Sequence, residues 1–128
     1  MNKKITATGA AFGAIAIILG AFGAHALKKV LTIEELSTFE TGVKYQMYHA
    51  LFLLFVGMMG FIPEKAKQII FYLVTTGVVF FSGSIYLLAT KSLTSIDFKI
   101  IGIATPIGGF LLILGWSCLF VNILKQKS

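Results

Sequence analysis

Four long apolar stretches, separated by short polar connections, run along the chain at residues 5–27, 42–62, 68–89 and 100–124. At about 1.5 Å per residue each reaches the roughly 30 Å of a bilayer's hydrocarbon core, so each is expected to be a membrane-crossing helix. Stepping about 100° per residue along the first stretch separates two opposed stripes of small side chains. Ala7, Ala10, Ala11, Ala14, Ala21 and His25 form one stripe, and Gly9, Gly13, Ala16, Gly20 and Ala24 form the other. Small residues are where membrane helices approach each other closely. The pattern therefore predicts neighbours on both sides and a central place for this helix.

The second stretch is short for its task. Its clean apolar run, residues 50–62, covers about 20 Å, so the crossing must begin near Gly42 and draw polar residues into the membrane. Gly42, Tyr45, Gln46, His49, Leu53, Val56 and Gly60 share one helical face, with Lys44 and Tyr48 beside it. Polar groups at that depth are expected to turn into the bundle or up to the headgroups. Lys44 can snorkel outward and pair with Glu40 at the favourable i, i+4 spacing. Just upstream, Thr32-Ile-Glu-Glu35 fits a capping box, and Ile33, Leu36 and Phe39 recur every three residues. A short amphipathic helix at residues 32–40, lying in the membrane surface between the first two crossings, is the economical reading.

In the third stretch Thr75, Thr76, Ser82, Gly83 and Ser84 mark the expected packing positions. In the fourth, Pro106 within Thr105-Pro-Ile-Gly-Gly109 is expected to kink the helix, with Gly109 permitting the bend. Trp116, Lys125 and Lys127 are expected at the far interface.

Composition sharpens the picture: 128 residues, 57% hydrophobic and 12% charged, give a single transmembrane domain spanning residues 1–128, an all-α integral membrane four-helix bundle. The net charge of +6 comes entirely from lysines set at the ends of the apolar runs. There they orient a membrane protein rather than bind nucleic acid, for which no basic stripe with aromatic platforms is present. The lysine margin between the two ends is narrow and favours cytoplasmic N- and C-termini in a multi-pass cell-membrane protein. The first stretch exceeds a signal peptide's apolar core and is expected to be retained, which an intact mass would check. Cys118, alone in an apolar run, allows no internal disulfide.

The motifs Gly20-Ala-Phe-Gly-Ala-His-Ala-Leu27, Phe39-x-Thr-Gly-Val-x-Tyr-Gln46, His49-Ala-Leu51, Phe81-Ser-Gly-Ser-x-Tyr86, Thr105-Pro-Ile-Gly-Gly109 and Gly115-Trp116 follow one another along the chain. In these the sequence resembles the YwdK/YgdD-type family of small bacterial membrane proteins. The resemblance covers almost the whole chain and implies a four-helix membrane protein of unassigned molecular function.

Candidate chemistry is sparse. No Asp or Glu lies within an apolar run, so a small exporter driven by a buried carboxylate is disfavoured. His25, closing the first crossing, and His49, early in the second, are expected to meet near the outer side with Glu40, Lys44, Tyr45, Gln46 and Tyr48 around them. Two imidazoles and a carboxylate have the composition of a metal site, facing imidazoles can hold haem, and a histidine can relay protons. Histidines that fix helix register by hydrogen bonds are the simpler account, and no metal or cofactor is assigned. A Cys118–His dyad is disfavoured because the two types lie toward opposite ends of the bundle. The function expected is a non-enzymatic module binding a small polar ligand, lipid headgroup or partner protein in that outer pocket. The alternative is a small channel or carrier with the second helix lining its path. Gly9, Gly13, Gly20, Gly83, Pro106 and Gly109 are expected to serve helix packing, and the exposed small-residue stripes suggest a homo-oligomer in the bilayer, its ligand unnamed.

Overall fold

A computed structural model describes residues 1–94 and 98–126; Lys127, expected at the interface, lies outside them. Among the described residues there are four long helices: α1 (Asn2–His25), α2 (Ile33–Met58), α3 (Glu64–Ala89) and α4 (Phe98–Leu124). Short 3-10 turns at Leu27–Lys29 and Lys91–Leu93 lie in the connections at one end. Three of the helical segments, Asn2–Lys29, Glu64–Ala89 and Lys99–Leu124, are long and apolar enough to cross a membrane. The fourth, α2, is as long but carries Glu34, Glu35, Glu40 and Lys44 in its first half.

Its pairing with α1 places α2 in the membrane. Gly23 packs on Phe39, Gly20 on Val43, Gly9 against Ala50, and Gly57 against Thr6, so the helices run antiparallel over their whole lengths. From Phe39 to Gly57 α2 rises about 27 Å at 1.5 Å per residue, the thickness of a hydrocarbon core.

The expected surface helix at residues 32–40 is not a separate element. The capping box forms as anticipated, with the Glu35 amide donating to Thr32 Oγ1 (3.1 Å) and the Thr32 amide to Glu35 Oε1 (2.9 Å). That amide holds the Glu35 carboxyl below the usual carboxylate range, helped by Ser92 and Thr32 and by the Lys91 charge. Nothing then stops the helix before Met58. Thr38 and Thr41 fold their hydroxyls back onto Glu34 O and Ser37 O, and no proline intervenes. Phe39, with Leu36 against it, enters a small core with Leu27, Leu31 and Ala89, while Ile33 alone of the apolar set is fully outside.

A second correction concerns α1. Contacts follow chain order, α1 on α2, α2 on α3, α3 on α4, which makes α2 and α3 the inner pair and α1 a flanking helix. The glycine stripe faces α2, whereas Ala7, Ala10, Ala11, Ala14, Ala21 and His25 are all exposed. One chain folded as consecutive hairpins has nothing to lay on that second stripe. The main core is contributed largely by α2 and α3, with Ile5, Leu53, Val56, Ile70 and Val74 fully buried.

Glycine sets the closest approaches. A Cβ on Gly9 would sit 2.8 Å from Ala50 O, and one on Gly108 would collide with the Phe81 amide. Gly77 and Gly115 make room for Leu112 and Val74 at the same α3–α4 seam, while Gly83, expected to pack, has nothing within 4 Å of its would-be Cβ. Gly9→Ala and Gly108→Ala should each cost about 1–3 kcal/mol of stability, because backbone cannot yield as a side chain can. Gly83→Ala should instead be neutral or stabilise by up to about 1 kcal/mol through helix propensity. Unfolding in mild detergent against added denaturing detergent checks the contrast; equal effects at the three sites would refute it.

Candidate functional site

The polar residues of α2 turn inward, but toward partners other than those expected. Gln46, 5% exposed, donates from Nε2 to Phe12 O of α1 (2.9 Å) and accepts at Oε1 from the Tyr86 hydroxyl of α3 (2.6 Å). One amide thus ties three helices together. Ser82 Oγ donates to Gly42 O (2.8 Å), and the Tyr86 ring lies where a Cβ on Gly42 would be, 2.7 Å from the nearest ring carbon. Phe39, one turn earlier on α2, packs on that ring at a tilt, centroids 5.0 Å apart. Ser84 Oγ shares a 2.6 Å hydrogen bond with Thr105 Oγ1, carrying the polar seam across to α4 just before Pro106.

His49 is buried and fully engaged. Its Nδ1 lies 2.7 Å from Tyr45 O, and since a carbonyl can only accept, that nitrogen carries the proton. Nε2 is then free to accept, and it does so from Trp116 Nε1–H of α4 at 3.0 Å. The imidazole is therefore neutral with no lone pair to spare for a metal or haem iron. Its ring meets the indole edge-on, and Phe52 closes on the same indole with centroids 4.3 Å apart.

His25 takes no part in this. It is exposed at the end of α1, level with Phe39, while His49 lies level with Gly13, about 18 Å lower by helical rise. The expected His25–His49 pocket is not built, because an antiparallel partner puts the end of α1 beside the start of α2 rather than beside its middle. Among the described residues no three His, Cys, Asp or Glu side chains group so as to hold a metal ion. Glu40 and Lys44 are exposed and form no ion pair among the described residues. Trp116, expected at the far interface, stands beside His49 on the wall of a lateral opening, half exposed and hydrogen-bonded to the imidazole. Cys118 is consequently near the depth of His49, not a membrane away, but two residues on from Trp116 it points to the opposite side of α4, where Asn122 donates to it.

What the arrangement builds is a groove on the side of the bundle. Because α2 and α4 both pack on α3 and hardly on each other, the gap between them stays open over Phe81. It encloses about 640 Å³, walled by Tyr45, Tyr48, His49, Leu112, Ile113 and Trp116, with Gly109 at its floor. Past Leu51 it continues into a narrower cleft of about 200 Å³ between Phe55, Met59 and Leu119. From Tyr45 to Met59 the path runs about 21 Å along α2. Of the residues singled out from sequence, Tyr45, Tyr48 and His49 line it; Gln46 lies behind it. Phe81, Ile113 and Trp116 were not among the candidate binding residues in sequence and belong to the groove through tertiary placement.

The three-helix knot at Gln46 should be measurable. Tyr86→Phe is expected to cost about 1 kcal/mol and Gln46→Leu about 1–3 kcal/mol, since each strands a buried partner. The double variant should be less damaging than their sum by about 0.5–1.5 kcal/mol in a double-mutant cycle, and strict additivity would show that the bond carries no stability.

The family model described as "Protein of unknown function (DUF423)" matches residues 19–109. A UPF0382 membrane protein of Staphylococcus saprophyticus is 44% identical, covering 96% of this chain and 98% of its own. YwdK of Bacillus subtilis is 39% identical over 96% and 98% of the two chains, and the inner membrane protein YgdD of Escherichia coli is 34% identical over 90% and 85%. No solved structure matches the chain. On these similarities the chain belongs to the DUF423/UPF0382 family of bacterial membrane proteins of unknown function.

Proposed function

We propose that this protein is a non-enzymatic membrane module that holds a single hydrocarbon chain, acyl or prenyl, in the groove between α2 and α4. The groove itself carries the reading. Its volume of about 640 Å³ lies within the roughly 300–1,000 Å³ typical of small-molecule sites, and its walls are aromatic and aliphatic. The buried polar groups behind it are spent on one another, so a small polar ligand finds few unused donors or acceptors there. A path about 21 Å long suits an extended chain lying along the bilayer normal better than a globular solute. The Tyr45 and Tyr48 rings stand at its upper end, about 9 Å or more below Phe39 by helical rise, where they flank the chain itself rather than its headgroup.

A photoreactive fatty acid added to the protein in bilayers checks this. Crosslinks should concentrate on Leu51, Ile113 and Trp116 above the level found on Ile17 and Ile18, which face lipid on α1. Gly109→Leu, which fills the floor of the groove, should remove the excess while leaving the α1 labelling unchanged. Uniform labelling of groove and outer face would overturn the proposal. Ion flux into proteoliposomes that Gly109→Leu abolishes would replace it with a channel or carrier.

The same reading sets both termini in the cytoplasm. Lys3, Lys4, Lys65, Lys67 and Lys125 lie at that end, with Lys127 following in the sequence, against Lys28, Lys29, Lys91 and Lys99, with Lys44, at the other. Green fluorescent protein fused after Ser128 should fluoresce and alkaline phosphatase there should be inactive; the reverse pair of results would invert the protein.

A further inference from the structure

At the end of the bundle where the N-terminus and the close of α4 meet, a second groove lies between α3 and α4, on different residues from the first. It has a volume of about 420 Å³ between Ile69 and Leu73 of α3 and Leu114, Ser117, Cys118, Val121 and Asn122 of α4, with Lys125 also lining it. A shallower depression of about 330 Å³ extends it along Ile69 and Leu73 toward Leu111. From Lys125 back to Leu111 the apolar track runs about 21 Å. Ile69 and Val121 are 46% and 44% exposed, so the track is open to the surrounding lipid.

The cations around its mouth are arranged by helical register. Lys65 stands one turn before Ile69 on α3, and Lys125, which lines the groove, one turn after Val121, so helical register puts the two exposed lysines at the same end of the two walls. Lys4 of α1 lies 5.6 Å over the ring of Tyr72, which lines the adjoining depression. Neither Lys65 nor Lys125 takes part in an ion pair among the described residues. The nearest acid in sequence, Glu64, is directed to the α-amino group of Met1 at 3.6 Å, and Lys67 is buried against Asn2 Oδ1 at 3.0 Å. Among the described residues no acid pairs with Lys65 or Lys125, and the two lysines stand at the end of a chain-length, largely apolar track.

We infer that this is a binding site for an anionic phospholipid, its phosphate between Lys65 and Lys125 and one acyl chain along Ile69, Leu73 and Leu114. The charge complementarity selects the headgroup and the track takes the tail. The site shares no residue with the α2–α4 groove, and its test is independent of that reading.

The full chain in a zwitterionic detergent is titrated with phosphatidylglycerol or with phosphatidylcholine of the same acyl composition, and bound lipid is counted by native mass spectrometry. Phosphatidylglycerol should be retained in preference, and Lys65→Gln and Lys125→Gln should each weaken that preference by about fivefold, the effect of one lysine near an anionic headgroup. Lys29→Gln, at the opposite end, should leave it unchanged, and all three substitutions replace exposed side chains whose loss the fold tolerates. Equal retention of the two lipids, or an equal loss with Lys29→Gln, overturns the site. Displacement of the lipid by inorganic phosphate alone would show that the lysines bind a free anion and would overturn the lipid assignment.

Discussion

Hydrocarbon offers no partner for a hydrogen bond, and the organisation of this protein follows from how α2 meets that constraint. A buried amide or hydroxyl left unpaired costs several kcal/mol in lipid, so Gln46, Ser82, Tyr86 and His49 each have to find a partner inside the protein. Gln46 has two functions to satisfy and uses both, one on a backbone carbonyl of α1 and one on a side chain of α3. A helix whose polar groups are needed on two flanks has to lie between its neighbours. This is why α2, the least hydrophobic of the four, is an inner helix, while α1, with no polar side chain between Gly9 and Ala24, stays at the edge.

Glycine and hydrogen bonding depend on each other here. The Tyr86 hydroxyl reaches Gln46 because its ring lies in the space a side chain at Gly42 would fill, and Ser82 reaches Gly42 O across the same gap. On the other flank Gly9 lets α1 close on Ala50, which brings Phe12 O within reach of Gln46. Gly77, Gly108 and Gly115 do the equivalent for α3 and α4, drawing them together so tightly that α4 is held on α3 and hardly touches α2. The lateral groove is the space left by that choice. Its wall is kept in place by the His49–Trp116 hydrogen bond, which spans the gap where the helices do not pack.

With Gln46, Ser82, Tyr86 and His49 engaged inside the bundle, its lateral openings present the membrane with shape more than with hydrogen-bonding groups. Both grooves open sideways to lipid and not to water, and both are about as long as an acyl chain. They differ in their ends: tyrosines flank the first, lysines the second. The chemistry available to this fold is recognition of amphiphiles by apolar length and by what stands at the end of the track.

Fold class was legible in the chain, because lipid imposes so narrow a set of solutions. Runs long enough to span, lysines at their ends and a capping box before α2 together specify membrane-crossing helices and their order. The inward turn of Gln46 and His49 was legible for the same reason, since a polar side chain at mid-depth has nowhere else to go. The neighbour each one meets depended on register between helices, which no single helix encodes. His25 and His49 look adjacent when helix ends are matched by eye, yet full-length antiparallel pairing sets them about 18 Å apart. Trp116 reads as an interfacial anchor by composition and becomes the donor to His49 only because glycines slide α4 into place along α3. The two small-residue stripes of α1 were equally visible, but which one would be used depended on how many partners a single chain can bring to it. Sequence determined what each segment must be, because hydropathy and hydrogen-bond satisfaction act within a segment. Tertiary structure decided which side chains meet and where the gaps fall, because those follow from the close approach of backbones far apart in the chain.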